Sequence, residues 1–401
     1  MQSVINQHLT TLCQEIGPRP IGSGQNRAAA DYIQRVFKDA GLATERQEFP
    51  CVAWQLEEAR LELDGVVLAA TANTFSPAFD AAAPTVVLST FGELENADLA
   101  QKIALLCGEL ATGPLAPLNS PIYLPDEHKK LGELLRAQSP LAVVMIAPEM
   151  GEPVAMIDDW TLPMPSVTVS AAVGRTMISQ SGQPLKLTIR SQRGQGTSCN
   201  VIGHVDRQAQ KRIVLCAHYD TKWGTPGAFD NGSGVAALLV LAEKLPRRVN
   251  GFDLEFITFS GEEYNGLGDA AYLQRFGLEP VRFGEMGDER PPALSHIQMA
   301  INIDGVGLIS GTNTISLVHE SAALQQSVAE ALQHYPAISQ VAPWPASNHY
   351  TFYSHGVPCI VLGNSGGADV VHRPIDTIEW VSAAKIEEVV RLIVELVAAD
   401  E

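Results

Sequence analysis

The C-terminal half of the chain alternates short, mainly apolar runs with helical patterns, and no other feature limits the possible folds as much. A strand that is apolar without regular alternation has both faces covered, as in a largely parallel sheet lying between helices. Strands are predicted at 213–217, 254–259, 299–303 and 359–362, and helices at 234–245, 321–334 and 383–399. The last helix places Ile386, Val389, Val390, Ile393, Leu396 and Val397 on one face. Residues 3–40 read as two helices, carried by Ile5, Leu9, Leu12 and Ile16 and then by Ala28, Tyr32, Ile33, Val36 and Phe37. Between them, Gly17-Pro18-Arg19-Pro20-Ile21-Gly22-Ser23-Gly24 holds too many prolines and glycines to continue either helix. Residues 54–187 read mostly as short strands and turns, with a proline-rich stretch at 112–125 and one helical segment at 126–137. The predicted fold is α/β, a mixed, largely parallel sheet sandwiched by helices, with an inserted β-rich domain. Its parts are 1–55, the insert 56–190, and 191–401.

Charge narrows the partners. Acidic residues outnumber basic ones 45 to 27, for a formal charge of −18, which repels phosphate backbones and anionic lipid, so neither nucleic acid nor a membrane surface is expected. The apolar run at 235–242 is far shorter than the roughly 18 residues a bilayer crossing takes. The opening residues, Met1-Gln2-Ser3-Val4-Ile5-Asn6-Gln7-His8, lack the basic start and apolar centre of a secretory leader, so a cytoplasmic location is expected. The six cysteines are dispersed without C-x-x-C spacing and are expected reduced, with Cys216 and Cys359 as small core residues.

The chemistry-bearing residues stand at the strand ends, where open α/β sheets bind their ligands. After the first predicted strand come His218, Tyr219 and Asp220; after the second, Ser260, Gly261, Glu262 and Glu263; the third runs straight into Asp304; His372 and Asp376 come after the fourth. Gly227-Ala228-Phe229-Asp230-Asn231-Gly232-Ser233-Gly234 is a glycine-rich turn able to hold Asp230 against those ends. Taken singly, each is ordinary: a His-x-Asp surface pair, a solvated acidic spot, a helix cap, a loop histidine. Taken together, His218, Asp230, Glu263, Asp304 and His372 supply two imidazoles and three carboxylates, a donor set that suits two zinc ions. With Asp230 bridging, one ion would take His218 and Asp304 and the other Glu263 and His372, leaving room for a shared water. Glu262 is then placed as the general base.

With these residues in place, the sequence resembles the co-catalytic di-zinc aminopeptidases of clan MH, the bacterial leucyl-aminopeptidase-like family. The resemblance rests on His218-x-Asp220, the Gly227–Gly234 turn, Ser260-Gly261-Glu262-Glu263, Asn302-x-Asp304 and His372-x-x-x-Asp376-Thr377, and it extends to Ile16-Gly17-Pro18-Arg19-Pro20. It implies the zinc exopeptidase fold, Asp220 as the partner of His218 outside the metal shell, a cis Asp230-Asn231 peptide, and a protease-associated (PA) domain as the insert. It also implies two Zn2+, replaceable by Co2+ or Mn2+, and peptides with a free N-terminus as substrates, with a homo-oligomer as an expected possibility. Where members often carry Ser-Asp-His, this chain has Ser347-Asn348-His349, and Tyr350 and Tyr353 are the candidates to donate to an oxyanion. The same fold leaves open a carboxypeptidase, with Lys222, Arg282 and Arg373 as candidate cations for a terminal carboxylate, a glutaminyl cyclase, or a catalytically silent scaffold. A serine hydrolase is disfavoured, because Gly232-Ser233-Gly234 lacks the Gly-x-Ser-x-Gly spacing. Side-chain preference would be set by the insert, the segment 274–296 and the loops after Asp304.

Overall fold

The computed structural model describes residues 1–148, 153–285, 287, 290–344 and 347–399; Met286, Asp288 and Glu289 of the segment 274–296 lie outside that set. The chain divides into two compact units, one made of Met1–Cys51 and Thr197–Glu401, the other of Val52–Gly196.

In the first unit, helix α1 (Gln2–Thr10) runs into a wider turn at Thr11–Ile16, which Gly17 ends at φ 78°. Helix α2 (Gly24–Asp39) starts where the Ser23 side chain accepts from Asn26 N, satisfying one of the amides a helix start leaves open. The sheet is built from β1 (Arg212–His218), β2 (Asp253–Phe259), β3 (Ile297–Ile303), β4 (Asn313–Val318), β5 (Ile338–Gln340) and β6 (Cys359–Asn364). Its order is β5-β4-β6-β3-β1-β2, with residues 201–205 on the far side of β2. Strands β2, β1, β3 and β6 are mutually parallel neighbours, whereas β4 and residues 201–205 run antiparallel to theirs. The sheet is thus mixed and mostly parallel. Phe259 pairs with His218 and Ile303 with Leu362, so the carboxyl ends of the central strands finish level with one another.

Helix α3 (Ser233–Lys244) is buried along nearly its whole length, as Val235-Ala236-Ala237-Leu238-Leu239-Val240-Leu241-Ala242 predicts, because it lies between the sheet and α1, α2 and the C-terminal helix. That C-terminal helix, Ala383–Ala399, buries Ile386, Val389, Val390, Ile393, Leu396 and Val397, the face read from the sequence. Among the described residues no helix is long and apolar enough to cross a membrane.

The second unit has more helices and more parallel pairing than the reading of short strands, turns and one helical segment predicts. Residues 85–88, Ile103–Leu106, Ala142–Ile146 and Ser166–Val169 form a parallel run, with residues 79–84 antiparallel to 184–189 at one side and Thr71–Ala72 at the other. Helices Phe91–Asn96, Asp126–Gln138 and Ala171–Ser179 accompany it, so this unit is itself α/β. Apolar clusters sit on both faces of its sheet, one including Leu106, Val143 and Met145, the other Leu105, Val144 and Val167.

Candidate metal centre

The level strand ends place the donors in one spot. His218 closes β1, Glu262 and Glu263 come just after β2, and Asp304 comes directly after β3, where its N–H donates to Leu362 O at 2.9 Å. Asp230 enters from the turn before α3, and its peptide bond to Asn231 is cis. His372 comes from the loop after β6 at φ 60°. Two groups of potential ligands result, His218, Asp230 and Asp304, and Asp230, Glu263 and His372, each with its ligand atoms within 4.8 Å of one another.

Asp230 belongs to both groups. One carboxylate oxygen, Oδ1, lies 3.1 Å from His218 Nε2, while the other, Oδ2, lies 3.2 Å from His372 Nε2. Asp304 Oδ1 is 3.4 Å from His218 Nε2, and Glu263 Oε2 is 3.0 Å from His372 Nε2. All five residues named from the sequence as ligands are therefore brought together. Asp220, fully buried, has Oδ1 3.7 Å from His218 Nδ1 and accepts the backbone N–H groups of Glu262 at 3.3 Å and Glu263 at 3.2 Å. Its carboxylate thus ties the end of β1 to the turn after β2 and faces the imidazole nitrogen turned away from the cluster.

Two further residues shape the site. Asp376, quoted in the sequence pattern but given no role there, accepts Phe229 N at 2.7 Å and Asp230 N at 3.0 Å and so aims the shared carboxylate. Asn231, invisible except as a neighbour of Asp230, donates to Ile303 O at 2.9 Å and accepts Gly234 N at 2.9 Å and Gly305 N at 3.3 Å, straddling Asp304. Gly234 is required there, since a Cβ would stand 2.3 Å from both Asn231 Oδ1 and Ile303 O.

The departures from the family pattern also have a geometry. Asn348 donates to both oxygens of buried Asp269, at 3.0 and 2.9 Å, and Thr351 donates to the same carboxylate. The Tyr350 hydroxyl donates to Arg282 O at 2.5 Å, so it is engaged by a backbone carbonyl. Burial lowers the His349 pKa to about 4; its ring donates from Nε2 to Trp344 O at 2.7 Å and faces Asn302 Nδ2 with Nδ1.

Electrostatics explain what the cluster is suited to hold. Burial alone would lower His218, but Asp304, Glu262, Asp220 and Asp230 outweigh it and raise its pKa well above the usual range; Glu263 and Asp230 do the same for His372. Asp230 is held low, since its hydrogen bonds to both imidazoles outweigh burial. Burial, joined by the charges of Glu263, Asp304 and Asp230, raises Glu262 well above the ordinary carboxylate value despite His218. Burial likewise carries Asp376 to about 7 against the pull of the Phe229 and Asp230 amides. Carboxylates gathered around two imidazoles need positive charge, and nitrogen and oxygen donors of this kind fit zinc.

Residues 200–397 match the model of Peptidase family M28. The aminopeptidase YwaD of Bacillus subtilis is 23% identical over 95% of this chain and 80% of its own length. The probable leucine aminopeptidase 2 of Aspergillus fumigatus is 28% identical over 64% of this chain, which spans only 50% of that protein. Among solved structures, BSAP, a zinc aminopeptidase from Bacillus subtilis, superposes with a TM-score of 0.76 at 20% identity, covering 100% of this chain and 94% of that one, which establishes the likeness of fold.

Proposed function

We propose, from the premise that residues 200–397 are a peptidase family M28 domain, that this chain is a zinc-dependent aminopeptidase that removes N-terminal residues from peptides. One observation carries the reading: the two oxygens of Asp230 face two different imidazoles at nearly equal distances, 3.1 and 3.2 Å, the arrangement a carboxylate shared by two ions requires. The relatives named as aminopeptidases support it.

His218 and Asp304 would hold one zinc and Glu263 and His372 the other, with Asp230 common to both; Co2+ or Mn2+ would serve where zinc is scarce. Bound there, the ions supply Lewis acidity, lowering the pKa of a shared water and drawing charge from the scissile carbonyl. The protein's own groups do the rest. Glu262 would accept the proton from the attacking water and return it to the leaving amine. Asp220 holds the His218 ring in place, and Asp376 holds Asp230 through two backbone amides. Since the Tyr350 hydroxyl is engaged by Arg282 O, Tyr353 and the metal side of the cleft remain to serve the carbonyl oxygen.

Of the cations named for a carboxypeptidase, Lys222 is already engaged. Lys222 Nζ donates to Glu263 O at 2.5 Å and lies 3.8 Å from Glu263 Oε2, which commits it to positioning a ligand. A one-zinc cyclase would leave two of the five donors without a task. The unit Val52–Gly196 enters the reading as the PA-type insert, governing access or assembly, on the strength of its position in the chain.

The test is a panel of free and N-acetylated peptides, assayed as purified, after chelation, after zinc return, and with Glu262→Gln. Release of the first residue from free peptides only, abolished by chelation and restored by zinc, is expected. Equal cleavage of acetylated peptides would overturn the assignment; release from the opposite end selects a carboxypeptidase, ammonia loss from N-terminal glutamine a cyclase, and zinc uptake without turnover a scaffold.

A further inference from the structure

A guanidinium far from every donor in sequence lies behind two of the segments that carry them. Arg19 is fully buried, and the five acceptors of its side chain are all backbone carbonyls. Nε donates to Tyr219 O at 2.8 Å; Nη1 to Leu12 O, Gly17 O and Pro226 O at 2.8, 2.9 and 2.8 Å; Nη2 to Gly227 O at 3.0 Å. Its backbone joins in, the N–H donating to Thr221 Oγ1 at 2.9 Å and the carbonyl accepting from Thr221 N at 3.4 Å.

These acceptors are not scattered. Tyr219 sits between His218 and Asp220, while Pro226 and Gly227 open the turn that delivers Asp230. Gly227 O also accepts Gly232 N at 2.9 Å, from the far side of that turn. The remaining two carbonyls, Leu12 and Gly17, belong to the N-terminal helical segment and anchor the guanidinium from outside the site. A planar fork with five N–H groups is the side chain that bonds several fixed carbonyls at once, and a lysine ammonium with three rotatable donors cannot reproduce it. Pro18 and Pro20 on either side fix the backbone that presents it. Burying a cation this completely is costly unless its donors are satisfied, so its surroundings are over-determined, and Asp376, which aims Asp230, feels its charge.

We propose that Arg19 is a positioning residue for the metal centre: by bonding Tyr219 O on one side and Pro226 O and Gly227 O on the other, it sets the spacing between the His218–Asp220 strand end and the Asp230 turn. This deepens the two-zinc reading and rests on it.

The test measures zinc affinity by chelator competition, with zinc stoichiometry by equilibrium dialysis, in wild type, Arg19→Lys and Arg19→Gln, each first shown to unfold cooperatively. Wild type should bind two zinc ions per chain. Folded Arg19→Lys should bind at least tenfold more weakly, and Arg19→Gln more weakly still. The drop in turnover should fall mainly on kcat and be recovered in part by excess zinc, which a loss of folded protein would not show. Folded Arg19 variants with two zinc ions at wild-type affinity would overturn the inference while leaving the aminopeptidase reading intact. Should wild type bind no zinc at the cluster, both fall. If neither Arg19 variant folds, Thr221→Val decides: it removes the acceptor for Arg19 N–H, and a fewfold loss of zinc affinity is expected. An unchanged affinity in that folded variant would make Arg19 a residue of folding alone.

Discussion

The two units carry sheets of the same kind and end them differently. In Val52–Gly196, Ile103–Leu106, Ala142–Ile146 and Ser166–Val169 are buried at every position and mutually parallel, and β1, β2 and β3 in the other unit are parallel and buried at every position but Arg212 and Gln298. Yet the insert's strands lead into Cys107-Gly108, Ala147-Pro148 and Ser170-Ala171, whereas β1 ends on His218, β2 is followed two residues later by Glu262-Glu263, and β3 runs into Asp304. Among the described residues, both candidate metal groups belong to the first unit. Architecture alone therefore says little about activity; the side chains just beyond the last apolar residue of each strand say a great deal.

Substitutions should separate these two contributions. The largest expected effect is that of Asp230→Ala, which removes the carboxylate common to both groups and should take zinc binding and turnover to background in a folded protein; retention of two zinc ions would break the contrast. Next is Glu262→Gln, expected to lower kcat by roughly 10²–10⁴-fold with zinc content unchanged, measured by steady-state kinetics alongside metal analysis. Leu105→Ala, in the insert's buried cluster, should cost about 2–5 kcal/mol in denaturant unfolding while leaving kcat per folded molecule unchanged. A fall in kcat there would show that the insert takes part in chemistry.

The smallest effect concerns the scaffold of the first unit. Burial depresses the His8 pKa from 6.5 to about 4, and the ring meets the Tyr32 hydroxyl at 2.6 Å. The unfolded chain therefore takes up the proton first, so this contribution is complete above pH 6.5 and is lost as pH falls towards 4. It amounts to at most about 3 kcal/mol. His8→Leu should flatten that part of the stability profile, as measured by thermal unfolding across the window.

Local contrast decided how much of this was legible. The ends of β1 and β3 were visible because Ala217 and Ile303 pass abruptly to His218 and Asp304, and a carboxylate at the end of a buried strand demands a partner. Asp230 was visible through the glycines around it. Strand β4 was not, since Asn313-Thr314-Ile315-Ser316-Leu317-Val318 lacks an unbroken apolar run; its pairing with β6 supplies the burial. Helix Ala171–Ser179 was obscured by Gly174, whose place makes sense only in three dimensions: a Cβ there would come within 2.2 Å of Ile146 Cγ2. Arg19 was the hardest to read. Its acceptors are carbonyls, which every residue possesses, so no pattern of side-chain types marks them.

The bonds from Arg19 to Tyr219, Pro226 and Gly227 also bear on how the molecule is made. During synthesis the first 51 residues leave the ribosome well ahead of the strands they must meet, separated by the whole of Val52–Gly196. At 5–20 residues per second that interval is roughly 7–30 s, during which the apolar faces of α1 and α2 have no sheet to cover them. An insert able to collapse on its own in that time would shorten the effective loop between the two halves and so lower the entropic cost of closing the first unit, separately from any service to substrate.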